Sequence, residues 1–205
     1  MVSRNDLRGM VQTVRGLIVP DDLGMTLMHE HLLCDITPPK LAALNQPWPD
    51  ITLENYHEIV YGRVPHAGKY KLVVPELITD EVARMRAAGG KSIVELTCEG
   101  LKPNPSGLRA IAEATDTHIV MGCGFYVEEY QASATFGRGV DAYAGEMIAQ
   151  ITEGAWGTDI RSGIIGEVGC QSPWTEHEKQ VMEAAIIAQQ HTGAEIGRAS
   201  CRKRV

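Results

Sequence analysis

The feature that most constrains this chain is a regular alternation, from residue 78 onward, of amphipathic helical segments with short apolar runs rich in β-branched residues. ITDEVARMRAAGG (78–90) reads as a helix with Thr79 or Asp80 as its N-cap and glycines as its stop, and KSIVELT (91–97) follows as a strand. NPSGLRAIAEATD (104–116) with THIVMGCGF (117–125), and DAYAGEMIAQITEG (141–154) with SGIIGEVGC (162–170), repeat the unit. A long helix is expected within 172–194, opened by a capping box between Thr175 and Glu178 and closed at Gly193, where a further strand should begin. Strands separated by helices of this length pair in parallel through right-handed crossovers, which leaves an open doubly wound sheet or a (β/α)8 barrel. Neither G-x-G-x-x-G nor a P-loop follows any strand, so the nucleotide-binding open sheet loses its main support.

Upstream, VQTVRGLIV (11–19) alternates like a strand, PDDLG supplies turn residues, and MTLMHEHLLCDI (25–36) is a second strand-like run, together resembling an entry hairpin. Residues 37–74 carry prolines, aromatics and mixed charge without a sustained period and read as one long connection. The count is roughly four βα units, against eight in a complete barrel of about 250 residues. The expected fold is therefore α/β: a partial (β/α)8 TIM barrel, its first four βα units preceded by a small N-terminal hairpin, spanning residues 1–194. Residues 195–205, EIGRASCRKRV, abandon the apolar rhythm and are expected to be a non-native tail, such as a translated sequencing adapter joined to a truncated reading frame. The alternative is a natural basic tail that contacts acidic partners or RNA.

A net charge of -7 argues against a nucleic-acid binder, whose affinity rests on clustered Lys and Arg, and favours a small-molecule partner. The five cysteines never form a C-x-x-C pair, which points to a reducing compartment rather than a disulfide framework. The N-terminus has no apolar signal-peptide core and no stretch approaches the ~18 apolar residues of a membrane span, so a cytoplasmic location is expected.

Chemistry concentrates in two segments. In His29-Glu30-His31 the alternation of side chains along a strand sends both imidazoles to one face and Glu30 to the other, a natural corner of a metal site at a barrel mouth. In GIIGEVG, Glu167 is a carboxylate in a buried-looking strand, where a cation is one of the few partners that offsets the cost of burying charge. Alone, each has a plain structural reading: histidines at this spacing arise by chance, and a strand-end carboxylate can accept hydrogen bonds from loop amides.

Taken together, LGMTLMHEHLL, HIVMGCGFYVEEY and SGIIGEVGCQSPWTEHEKQVMEAAIIAQQHTGA resemble the phosphotriesterase family of the amidohydrolase superfamily, in order and spacing, over most of residues 11–194. The resemblance implies a binuclear hydrolase with two divalent metal ions, Zn2+ by expectation, acting on phosphotriester, lactone or related ester bonds through a metal-bridging hydroxide. His29 and His31 would bind the more buried ion, and Glu167 would bridge the pair as the catalytic carboxylate. Organophosphate-degrading members carry a carbamylated lysine in a G-I-I-K context, whereas Gly166-Glu167 here resembles the glutamate-bridged branch and speaks against strong phosphotriesterase activity. The family completes its site with histidines after the fifth and sixth strands and an aspartate after the eighth, so residues 1–205 are expected to show little turnover. Pairing through loops around the barrel mouth leaves a homodimer open for the parent enzyme.

Tyr126 resembles an aromatic position lining the family's substrate pocket; its plain alternative is packing at the barrel mouth. Glu99 on the same rim reads as solvated. His57, His66, His118, His177 and His191 lack convergent partners, Cys34, Cys98, Cys123 and Cys170 read as packing, Trp48, Trp156 and Trp174 as anchors, and Met25, Met28 and Met121 as core. Two other functions stay open: a different amidohydrolase, such as a cyclic amidase that also uses H-x-H, and a non-catalytic half-barrel binding protein.

Overall fold

The structure, a computed structural model, describes the backbone of residues 1–201 and side chains through residue 197. In chain order the elements are α1 (Arg4–Leu7), β1 (Val11–Thr13), β2 (Gly16–Ile18), β3 (Thr26–Glu30), β4 (Cys34–Asp35), α2 (Pro39–Ala42), α3 (Leu53–Val60), β5 (Lys71–Leu72), α4 (Pro75–Ala87), β6 (Ser92–Glu95), α5 (Pro105–Thr115), β7 (His118–Cys123), α6 (Val140–Thr152), β8 (Ile164–Gln171), α7 (Glu176–Thr192) and β9 (Ile196–Cys201). Strands β3, β6, β7, β8 and β9 form one parallel sheet in that order, each joined to the next by a helical crossover. This is an α/β fold with a parallel half-barrel sheet.

Packing follows the two-residue period of a strand. Ile93 of β6 and Ile119 and Met121 of β7 meet Ile78 and Val82 of α4 and Leu108 and Ile111 of α5. Farther along, Cys123, Ile165 and Val168 pack on Tyr143 and Met147 of α6 and Val181, Ala184 and Ala188 of α7. On the opposite, concave face Val94, Leu96 and Val120 form a smaller cluster with Val11, Leu23 and Ile164. The capping box of α7 is present as expected, with Thr175 accepting from the Glu178 amide, and Gly193 closes the helix in the left-handed conformation.

Four expectations need correction. The hairpin lies within the first run, β1 against β2, because the Thr13 hydroxyl accepts from the Arg15 amide and donates to the Gly16 carbonyl to close a tight turn. β3 pairs instead with β6. Helix α4 begins at Pro75, a residue preorganised for the first helical position, and Thr79 sits inside it with its hydroxyl bonded back to the Pro75 carbonyl. The 37–74 connection contains short helices and returns as β5 to pair with β4. Met121 is core, but Met25 and Met28 are 61% and 67% exposed, because β3 is an edge of the sheet among the described residues. The strand expected to begin after Gly193 is β9, which pairs in parallel with β8. Residues 202–205 of the expected tail lie outside the described residues. Among those described, no helix is long and apolar enough to cross a membrane.

Two glycines allow the sheet to close at β8. A Cβ on Gly122 would collide with the Gly166 carbonyl oxygen, and Gly166, at a φ of 146°, leaves no room for a side chain beside Gly197. Here the pairing slips: Cys123 opposes both Ile165 and Gly166, and the β8–β9 register shifts between Ile165 and Val168. Ile165 and Val168 both pack on the helical layer although three residues apart, which strict alternation forbids. The bulge absorbs the odd residue and turns Glu167 away from the helices.

Candidate metal centre

On the concave face, the Nε2 atom of His29 lies 3.3 Å from Glu167 Oε2, and the Nε2 atom of His31 lies 3.4 Å from Glu167 Oε1. One carboxylate thus faces two imidazoles, one oxygen to each. All three ligand atoms lie within 4.8 Å of one another, and this is the one such cluster of potential ligands among the described residues. The imidazoles come from the i, i+2 spacing at the end of β3, which puts both on one face as the sequence predicts, and their rings meet edge-on with centroids 5.4 Å apart.

The Glu167 side chain is 7% exposed, His31 27% and His29 47%, so the carboxylate is the floor of the cluster and His29 its open side. The Glu167 main chain is fixed by its amide on the Leu96 carbonyl and by the Cys98 thiol on its own carbonyl. Burial opposes the charged form of His31, but the hydrogen bond and charge of Glu167, with Glu95 and Glu30 adding, outweigh it and raise its pKa above 6.5. Two imidazole nitrogens and a carboxylate suit a borderline cation such as Zn2+, and the open side leaves room for further ligands. The donor set fits a metal ion.

Behind His31 lies a network that sequence reasoning missed. Thr97 Oγ1 sits 3.0 Å from His31 Nδ1 and donates to Glu95 Oε1 at 2.5 Å. Glu95, wholly buried, also accepts the amides of Leu32 and Thr97. Burial pushes its pKa up, opposed by these hydrogen bonds and by His31. An acid inside the apolar run SIVELT was the available signal, the same one that marks Glu167.

Tyr126 follows β7, as expected for a residue at the carboxyl end of the sheet; it is half-buried, its ring 5.3 Å from that of Tyr130. Glu99 is not simply solvated: it accepts the indole N–H of Trp156 at 3.1 Å. The other histidines stay outside the cluster, His66 bonded to Pro49 and Gly68 within the long connection and His177 enclosed by Phe125, Phe136 and Tyr143. The buried thiols are held protonated, Cys34 pushed up to about 11 and Cys123 to about 12, mainly by burial.

The phosphotriesterase family model matches residues 9–203. The chain belongs to the phosphotriesterase family. It is 38% identical over 200 residues to an N-acetyltaurine hydrolase of Xenopus tropicalis, covering 94% of this chain and 56% of the relative. A resiniferatoxin-binding protein from Rhodobacter sphaeroides shares 35% identity with a TM-score of 0.80, over 91% of this chain and 53% of that one. An organophosphorus hydrolase from Deinococcus radiodurans shares 27% identity with a TM-score of 0.71, over 94% and 53%. The chain spans about half the length of the curated relatives it matches.

Proposed function

We propose that this family hydrolase uses His29, His31 and Glu167 to hold divalent metal, Zn2+ by donor chemistry, with Glu167 as the carboxylate shared between two ions. The observation that carries the reading is the convergence of the three ligand atoms within 4.8 Å on the concave face. A bound divalent ion would lower the pKa of water and polarise an acyl or phosphoryl oxygen. The chain's own contribution is to fix two imidazoles and a buried carboxylate in register at one mouth of the sheet, with the solvent-facing side of His29 left to substrate. Tyr126, on the loop after β7, would supply an aromatic wall of the pocket.

The substrate class first expected is a phosphotriester, lactone or related ester. A second reading is favoured by the 38% identity to an N-acetyltaurine hydrolase: cleavage of a small N-acyl amide bearing an anionic head. Residues 1–205 supply three donors, and the activity proposed belongs to the whole protein. The test is hydrolysis of N-acetyltaurine, a γ-lactone and a dialkyl aryl phosphate by zinc-loaded protein, for residues 1–205 and for a form extended by the remaining barrel strands. Turnover by the extended form that is lost with His31→Asn or Glu167→Gln is expected. Full activity surviving both substitutions would sink the proposal.

A further inference from the structure

We infer that Gln131 is a positioning residue for substrate: its side-chain amide ties the loop after β7 to the loop after β6 and so holds Tyr126 in place at the mouth of the sheet. This rests on the reading of Tyr126 as a wall of the substrate pocket and adds to it the group that fixes that wall.

The tie is made by a single NH2 group. Gln131 Nε2 donates to the Glu99 carbonyl at 3.0 Å and to the Tyr126 carbonyl at 3.1 Å, one hydrogen to each. Gln131 reaches back to Tyr126 because a turn of 3-10 helix, Glu128–Tyr130, folds the loop on itself, with the Gln131 amide on the Glu128 carbonyl at 3.0 Å. The two loops are already in register: the Glu99 amide donates to the Gly124 carbonyl at 2.9 Å, and the Tyr126 amide donates to the Glu99 carbonyl at 3.0 Å. Two carbonyl acceptors dictate which way the Gln131 amide points. That orientation leaves its Oε1 buried without a partner among the described residues. A side chain 9% exposed that gives both hydrogens to loop carbonyls while its own oxygen goes unsatisfied is oriented by the tie.

The same stretch of chain joins the wall to the metal centre. The Leu96 carbonyl accepts the Glu167 amide, and the Cys98 thiol donates to the Glu167 carbonyl, both at 3.1 Å. Residues 96–99 therefore hold Glu167 on one side and, through Gln131, Tyr126 on the other. Phe125 and Val127 are buried on either side of the half-buried Tyr126, whose ring meets that of Tyr130. The tie leaves little slack: a Cβ on Gly100, which has a φ of 97°, would lie 2.7 Å from Gln131 Nε2 and 3.2 Å from the Tyr130 carbonyl oxygen. An aromatic wall fixed before substrate arrives loses little freedom on binding. Gln131 accordingly acts on affinity for the organic part of the substrate and not on the hydrolytic step.

The experiment begins with residues 1–205, which contain every group of the tie. In the wild type, both side-chain amide protons of Gln131 should exchange slowly with water by NMR. The six tyrosines are then replaced by 3-fluorotyrosine and their 19F lines assigned with single Tyr→Phe variants. Gln131→Met, which keeps the length and loses both donors, is expected to shift or broaden the Tyr126 and Tyr130 lines and to leave those of Tyr56 and Tyr61 unchanged. Gly100→Ala, which presses on the tie from the other loop, should do the same. In the extended, zinc-loaded form, Gln131→Met is expected to raise KM for the γ-lactone or N-acyl amide that is cleaved by about 2–10-fold, the equivalent of one hydrogen bond. Its kcat should stay within about twofold, since uniform binding is what is lost. A rapidly exchanging Gln131 amide in the wild type, or a folded Gln131→Met protein with unchanged Tyr126 line and KM, overturns the inference; the first reading needs no variant to fold. If the tyrosine lines respond as expected but the extended wild type cleaves neither substrate, the pocket reading of Tyr126 fails and the positioning role with it, a result distinguishable from the absence of the tie.

Discussion

Glu167 reaches Nε2 of His29 at 3.3 Å from the far side of the sheet, across three intervening strand-to-strand steps. That proximity depends on the bulge in β8, without which Glu167 would share the helix-facing side with Ile165. Zinc binding should therefore respond to each of the three donors. His29→Ala, His31→Ala and Glu167→Gln are each expected to weaken Zn2+ binding by more than about tenfold, while His57→Ala, on the exposed connection, should leave it unchanged. Calorimetric titration checks this, and equal affinity in all four would remove the site.

The approach of β7 to β8 provides a second prediction. Gly122→Ala would drive a methyl group into the Gly166 carbonyl oxygen, with backbone rather than a yielding side chain as the obstacle. The cost of such overpacking is about 1–3 kcal/mol or more. Gly145→Ala on α6, where a Cβ meets nothing within 4 Å, should be neutral or mildly stabilising. In urea melts the Gly122→Ala midpoint should fall below that of wild type, and the Gly145→Ala midpoint should not.

Much of this architecture was legible because helices and strands advertise their periods, and because H-x-H on a strand necessarily shares a face. What was not legible depends on partners distant in sequence. The Val14–Arg15 turn has no conventional turn pair and is made by the Thr13 hydroxyl, so VQTVRGLIV reads as one strand. Met25 and Met28 carry a core pattern, yet their burial depends on what lies beside β3, which the local sequence does not specify. Glu95 was visible as an acid in an apolar run, but its link to His31 passes through Thr97 and needs coordinates. The β8 bulge was likewise unreadable, since GIIGEVG is compatible with strict alternation that would have pointed Glu167 the other way.

A third prediction concerns Glu178, which is almost wholly buried and accepts the amides of Glu128, Gln171 and Thr175. It joins the start of α7 to the loops after β7 and β8. Glu178→Ala strands three donors and removes the capping box, an expected loss of about 2–4 kcal/mol. Lys179→Ala, which breaks an exposed pair with Glu176, should change stability by no more than about 0.5 kcal/mol. Chemical denaturation of both variants provides the comparison.

The fourth prediction is a pH dependence set by His177. The residue is 7% exposed, its ring among Phe125, Phe136 and Tyr143 and its Nδ1 3.4 Å from the Tyr143 hydroxyl. That hydroxyl donates to the Thr135 carbonyl, so its oxygen is left to accept from Nδ1, and Nε2 has no partner among the described residues. Protonation would create an N–H at Nε2 without an acceptor and a charge among aromatic rings. Burial accordingly lowers the His177 pKa below 6.5, only partly opposed by Glu128 and Glu178. As pH falls below 6.5 the unfolded chain takes up this proton while the folded chain does not, so the unfolded state is favoured. The contribution is fully present above 6.5, is lost progressively as pH falls, and levels off once the lowered folded value is passed. The slope from this one group cannot exceed about 1.4 kcal/mol per pH unit. His177→Phe should flatten the stability profile between pH 6.5 and that lower limit; an undiminished slope in a folded His177→Phe protein would assign the dependence to another group.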